Sequence, residues 1–211
     1  MSRRPAPPGT LQAVYGPASS AETRDYYETW AADYEIDTVG QGIRIPYLAS
    51  AFLARYAAPD AGPVLDAACG TGVVGDALAL LGYGPLTGVD LSPAMLAHAE
   101  ARGIYAALTE GDLTALPFAD ADFANTACVG AFGPGHAPPE SLAELVRVTA
   151  PGGYVVFNLR ADTFEEQGFP AAITALADAG RWRQVARSEP FRVYLLNDLD
   201  LSAIVFVFQV L

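Results

Sequence analysis

Apolar positions change their period twice along this chain. Residues 1–20, "MSRRPAPPGTLQAVYGPASS", carry no period and are rich in Pro, Ala, Gly and Ser, so they read as a flexible arm. In "AETRDYYETWAADYE" (21–35), Tyr26, Tyr27, Trp30 and Tyr34 recur at helical spacing, and a second helix is expected over about 45–57. From Pro63 onward, short apolar runs alternate with helical segments. "PVLDAA", "LTGVD" (86–90), "IYAALTEGD", "ADFANTACVG" and "YVVFNLR" read as five strands. "GVVGDALALLG", "SPAMLAHAEARG" and "PPESLAELVRVT" read as the helices between them. In the second of these helices Ser92 is the N-cap, Pro93 takes the first helical position and Gly103 is the stop. A strand–helix alternation of this kind predicts a doubly wound α/β fold with a parallel sheet. The tail breaks the rule: "WRQVARSE" and "LSAIVFVFQVL" are two strands with no long helix between them, expected as an antiparallel hairpin on one sheet edge. The expected architecture is therefore a mostly parallel, seven-stranded sheet with an edge hairpin and N-terminal helices. It forms one domain over 21–211, made of a helical cap (21–58), a core (63–160) and a C-terminal helix and hairpin (161–211).

Composition narrows what such a sheet carries. A chain of 211 residues suits one domain and buries about 70% of its unfolded surface. The net charge of −12 argues against a nucleic-acid partner, because phosphate contacts need clustered cations. The acidity serves either solubility or attraction of a cationic ligand. All 12 basic residues are arginine, which excludes a P-loop lysine and any Schiff-base lysine. Cys69 and Cys128 form no CxxC pair and there are only two histidines, so no metal site is expected and the thiols read as reduced. There is no signal-peptide h-region and no apolar run near the ~20 residues that cross a bilayer, so the expectation is a cytoplasmic protein with no membrane partner.

"DAACGTG" (66–72) follows the first core strand. Gly70, Gly72 and Gly75 satisfy G-x-G-x-x-G, and Asp90 lies near the distance expected for an acid that binds ribose hydroxyls. That pattern serves a dinucleotide or S-adenosylmethionine, since both carry a ribose. Asp66, expected beside the glycine turn, separates the two. A pyrophosphate there would meet a fixed negative charge, whereas the ammonium and sulfonium of S-adenosylmethionine are cations that a carboxylate attracts. Asp112, at the end of the third strand, adds an acceptor suited to an adenine amine, with the Leu113 N–H beside it for a ring nitrogen. Taken singly, Asp90 and Asp112 also read as a capping acid and a turn former.

On these residues the chain resembles the class I S-adenosylmethionine-dependent methyltransferases, through "VLDAACGTG", "LTGVDLSPAML", "EGDLTALPF" and "LVRVTAPGGYVVF". More narrowly, "DYYETWAADYEID", "VGAFGPGHAPPESLAELVRV" and "FEEQGFPAAITALADAGRW" resemble the methyltransferase-like group that includes the Williams–Beuren syndrome region methyltransferase. The resemblance implies a Rossmann-like fold and S-adenosyl-L-methionine as cofactor. The cofactor contacts it implies are Asp66, Gly70, Gly72, Asp90, Leu91, Met95, Asp112, Leu113 and Val129. Ala68 and Ala124 depart from the family's usual residues. Trp30 and its neighbouring tyrosines form either a lid that places rings near the sulfonium or a helix packed on the sheet's flank.

Methyl transfer is an in-line displacement, so a dedicated base is needed only if the acceptor must lose a proton. The acceptor side is expected at "VGAFGPGHAPPE" (129–140), where His136 is either the catalytic or substrate-contacting group or an ordinary loop histidine. Arg160 pairs either a substrate carboxylate or Asp162. The expected activity is methylation of a small-molecule substrate by a monomer or homodimer. An NAD(P)-dependent oxidoreductase and a non-catalytic S-adenosylmethionine-binding protein are the alternatives.

Overall fold

The computed structural model describes residues 20–133, 136–162, 164–197 and 199–211. The arm expected over 1–20 lies outside these residues, except for Ser20. Three helices come first: α1 (Ser20–Trp30), the single turn α2 (Tyr34–Asp37) and α3 (Ile45–Ala54). Strands and helices then alternate: β1 (Val64–Ala67), α4 (Val73–Leu80), β2 (Leu86–Asp90), α5 (Pro93–Ala101) and β3 (Tyr105–Glu110). β4 (Phe123–Cys128), α6 (Ser141–Val148), β5 (Thr149–Arg160) and α7 (Phe169–Asp178) follow, and the chain closes with β6 (Trp182–Arg187), β7 (Phe191–Arg192) and β8 (Ser202–Val210).

The sheet runs β3-β2-β1-β4-β5-β8-β6, with the two-residue β7 attached to β8. It therefore has eight strands where the sequence pattern predicts seven. Strands β1 to β5 pair in parallel, while β8 is antiparallel to β5, β6 and β7. The tail strands β6 and β8 pair antiparallel and are added at one edge of the sheet as expected, with β8 against β5 and β6 outermost. Burial explains this: "SAIVFVFQV" is apolar on both faces, and seven of its nine residues are buried. The outermost place, with its row of unpaired backbone groups, falls to β6, where only one of six residues is buried.

The period of two along each strand builds two cores, one on each face. Leu65, Phe157, Ile204, Phe206 and Phe208 join one cluster with Leu142 and Leu145 of α6, Phe169 of α7 and Trp182. Val64, Val156, Val205 and Val207 join the other with Leu53 of α3 and Val74 and Leu78 of α4. The order of the strands reverses direction between β1 and β4, and it is outside the carboxyl ends of strands at such a point that ligands bind in this architecture. Ser92 caps α5 as expected, its Oγ accepting from the Met95 N–H at 3.2 Å.

Candidate active site

The carboxyl ends of β1 to β4 enclose a cavity of about 260 Å³, near the lower end of the ~300–1,000 Å³ typical of small-ligand sites. Its floor is the turn after β1. Gly72 holds φ at +89°, which an L residue rarely adopts, and a Cβ there would strike the Arg102 and Tyr105 side chains. Gly75 is needed for closeness instead: its Cα faces the Tyr105 hydroxyl, leaving no room for a methyl. Ala68, at φ +58°, is a left-handed alanine in the cavity wall.

Asp90 organises this floor. Oδ2 accepts the Gly70 N–H at 2.8 Å and Oδ1 the Ser92 N–H at 2.9 Å, so one carboxylate joins the glycine turn to the start of α5. Burial raises its pKa, opposed by those backbone donors. Each oxygen keeps a further lone pair that a ribose hydroxyl can use. Asp112 is exposed, and its Oδ1 accepts from both the N–H and the hydroxyl of Thr114 at 2.8 Å, so it is also the turn former the sequence allowed. Gly70, Asp90, Leu91, Met95, Asp112, Leu113, Val129 and His136 all line the cavity.

Asp66, Gly72 and Trp30 do not. Strand parity turns Asp66 to the face of Val64, under the glycine turn, where it is fully buried and accepts from the Tyr105 hydroxyl at 2.6 Å. Its other oxygen has no protein partner. Burial is the main reason its pKa is pushed up to about 7. The acids facing the cavity are thus Asp90 and Asp112; because an acid at Asp90 suits the ribose of either ligand class, the sign argument built on Asp66 falls. Gly72 acts through backbone shape. Trp30 is buried, donates from Nε1 to Asp37 Oδ2 at 2.8 Å, and lines a second cavity of about 50 Å³ next to the first. Cys69 and Cys128 are free thiols whose pKa values burial raises. Arg160 pairs Asp162 through Nε and Nη2 at 3.0 and 2.6 Å.

What sequence reasoning missed is how the N-terminal segment is tied down. Thr23, Arg24 and Tyr27 of α1, and Tyr34 of α2, line the cavity. Glu28 Oε2 accepts from Ser92 Oγ at 2.6 Å, Arg24 pairs Glu110 at 2.8 Å, and Arg102 joins Glu35 (2.5 Å) to the Thr71 carbonyl (2.6 Å). These partners stand 31 to 86 residues apart in sequence, and no local pattern announces them.

A family model described as a methyltransferase domain matches residues 64–153. Methyltransferase-like protein 27 of Homo sapiens is 34% identical over 179 residues, an alignment covering 82% of this chain and 73% of that protein. The chain belongs to the class I S-adenosylmethionine-dependent methyltransferases. Its cofactor is S-adenosylmethionine. The methyltransferase is also 38% identical to a malonyl-[acyl-carrier protein] O-methyltransferase of Erwinia pyrifoliae, over 60% of this chain and only 44% of that protein. Among solved structures, magnesium protoporphyrin IX methyltransferase from Synechocystis PCC 6803, with bound S-adenosylmethionine, superposes with a TM-score of 0.66 at 16% identity, covering 90% of this chain and 96% of that one. A complex of a Haloferax volcanii methyltransferase with the Trm112 activator gives the same TM-score at 21% identity, covering 87% and 97%. Both share the fold. Among the described residues of the methyltransferase, no helix is long and apolar enough to cross a membrane.

Proposed function

We propose that this methyltransferase moves the methyl group of S-adenosylmethionine to a small-molecule acceptor that enters beside His136. The helices over the cavity carry this reading: α1 and α2 put Thr23, Arg24, Tyr27 and Tyr34 in its wall, which narrows the approach for a macromolecular surface. The net charge of −12 points the same way, against nucleic acid. When bound, the cofactor supplies an electrophilic methyl on a cationic sulfur. Asp90 would hold its ribose, Asp112 and the Leu113 N–H its adenine, and Met95 would pack on the ring; Gly70, Leu91 and Val129 complete the wall. Tyrosine faces near the sulfonium would add about 0.5–2 kcal/mol. Residues 21–58 act as the cap and 63–160 as the cofactor-binding part, in a monomer or homodimer of the cytoplasm. The 34% identity with methyltransferase-like protein 27 supports a place in the narrower methyltransferase-like group that the sequence resembles.

Calorimetric titration tests the cofactor half of this reading. S-adenosylmethionine and S-adenosylhomocysteine are each expected to bind one per chain, and NADH not at all. Saturable NADH binding with no response to the sulfur compounds would restore the oxidoreductase. Incubation with methyl-labelled cofactor and a small-molecule extract then tests the acceptor: label is expected in a small product, and label in nucleic acid only would refute the proposal.

The same placement makes α1 a lid. Its tethers to Ser92 and Glu110 end at the elements that carry Asp90 and Asp112, so a filled cavity should hold the helix down. Limited proteolysis between residues 20 and 40 is expected to slow when S-adenosylhomocysteine is added. Equal cleavage with and without it would mean that α1 is only flank packing.

A further inference from the structure

The two cavities meet at four residues: Tyr27, Tyr34, Gly130 and His136 line both. The donor cavity carries Asp90 and Asp112, while no carboxylate is among the described residues that line the smaller one, so the cationic donor suits the first and the acceptor's reacting head the second. The methyl group must then cross at the shared wall. There the Tyr27 hydroxyl lies 3.1 Å from His136 Nε2, and the two rings meet edge to face with centroids 5.9 Å apart.

We infer that Tyr27 relays the acceptor's proton to His136, its hydroxyl donating to Nε2 and so holding the imidazole as the final proton acceptor at the junction of donor and acceptor. The inference rests on the methyltransferase reading above and narrows its substrate class to acceptors that shed a proton, such as a hydroxyl, thiol or amine. The balance is simple. The bond from acceptor atom to methyl carbon forms as the carbon–sulfur bond breaks and leaves its electron pair on sulfur. The acceptor's proton goes to the Tyr27 oxygen while the Tyr27 proton goes to Nε2, so the pair ends as neutral tyrosine and imidazolium. A head fitting about 50 Å³ is a few atoms across, which agrees with one such group reaching in from a larger molecule. The placement also couples chemistry to closure. Tyr27 belongs to α1, so opening the lid withdraws the hydroxyl that fixes the base.

Because the chain has only His98 and His136, its imidazole nitrogen spectrum contains two ring systems, and the exposed His98 serves as the reference. With nitrogen-15-labelled histidine, His136 is expected to show a single tautomer with the proton on Nδ1 and an acceptor-type Nε2. Among the described residues, the charged and titratable groups facing the two cavities around it are Arg24, Tyr27, Tyr34, Asp90, Asp112, Arg160 and Tyr194, and Tyr27→Phe leaves all but the first tyrosine in place. This variant keeps the ring and loses the hydroxyl. It is expected to lose the single-tautomer signature while its S-adenosylhomocysteine Kd changes less than about threefold, equivalent to roughly 0.6 kcal/mol. A proton on Nε2 in the wild type would overturn the inference without any variant, and an unchanged signature in Tyr27→Phe would overturn it as well. The spectrum is recorded with and without S-adenosylhomocysteine. A chain that fails to bind that compound sinks the cofactor reading, whereas the wrong tautomer in a chain that binds it sinks this inference alone.

Discussion

Asp90→Ala is expected to abolish measurable binding of both S-adenosylmethionine and S-adenosylhomocysteine. The substitution removes two charge-assisted hydrogen bonds at once, those from the Gly70 and Ser92 N–H groups, and with them the link that holds the glycine turn against α5. Bonds to a charged group contribute about 1.5–3 kcal/mol each. Loss of both loosens the turn and costs the fold at least about 3 kcal/mol. Two further bonds of that size from the carboxylate to the ribose hydroxyls would be worth more than about 100-fold in Kd. Asp90→Asn keeps one acceptor oxygen and should fall between wild type and alanine. Calorimetry on variants first checked for cooperative thermal unfolding decides the matter. Affinity within tenfold of wild type in Asp90→Ala would remove Asp90 from the site.

The largest stability effect is expected at Asp66, and its sign depends on pH. In the folded protein burial lifts this carboxyl from 3.8 to about 7. Between these values the native state keeps a proton that the unfolded chain has released, so stability falls as pH rises. The slope approaches about 1.4 kcal/mol per pH unit, and over the whole interval the loss is about 4 kcal/mol. Asp66→Asn imitates the protonated acid and cannot ionise. Relative to wild type its unfolding free energy should be nearly unchanged at pH 4, gain about 4 kcal/mol by pH 7 and level off above pH 8. Asp90, raised in the same direction, and Glu144, lowered by its bonds to Arg147, are present in both proteins and cancel in the difference. Urea unfolding across that pH range measures it. A flat difference would mean that Asp66 titrates as an ordinary surface acid.

Asp66 also shows where local reading loses its grip. Its place at the end of β1 was legible, but the direction of its side chain was not. The strand is only four residues long and every residue in it is buried, so no exposed position marks which face is which. The partner that settles the direction, Tyr105, comes from β3, two strands away in the sheet. Trp30, which the spacing leaves open between a lid and flank packing, shows the same limit. Helical spacing put it in a row with Tyr26, Tyr27 and Tyr34, yet rotation about the helix axis turns Tyr27 into the cavity and Trp30 toward Asp37. Position and type were readable; facing was not.

The hairpin illustrates the same limit from the other side. Two antiparallel strands could be read from "WRQVARSE" and "LSAIVFVFQVL", and so could the apolar character of the second on both faces. Its insertion between β5 and β6 is a choice among sheet positions, made by burying Phe206 and Phe208 against Phe157 and Trp182.

By itself the sequence determined the alternation of strands and helices, the glycine turn, the acids at the ends of β2 and β3 and the exclusion of lysine chemistry. Each of these depends on residues within one or two turns of chain, where φ, capping and period act. Only the tertiary structure decided which acids face the cavity, that Glu28, Glu35 and Arg24 bind α1 and α2 across it, and that Tyr27 meets His136 from 109 residues away. Such contacts arise when separate faces are buried together, and neither partner carries a mark of the other until the core has formed.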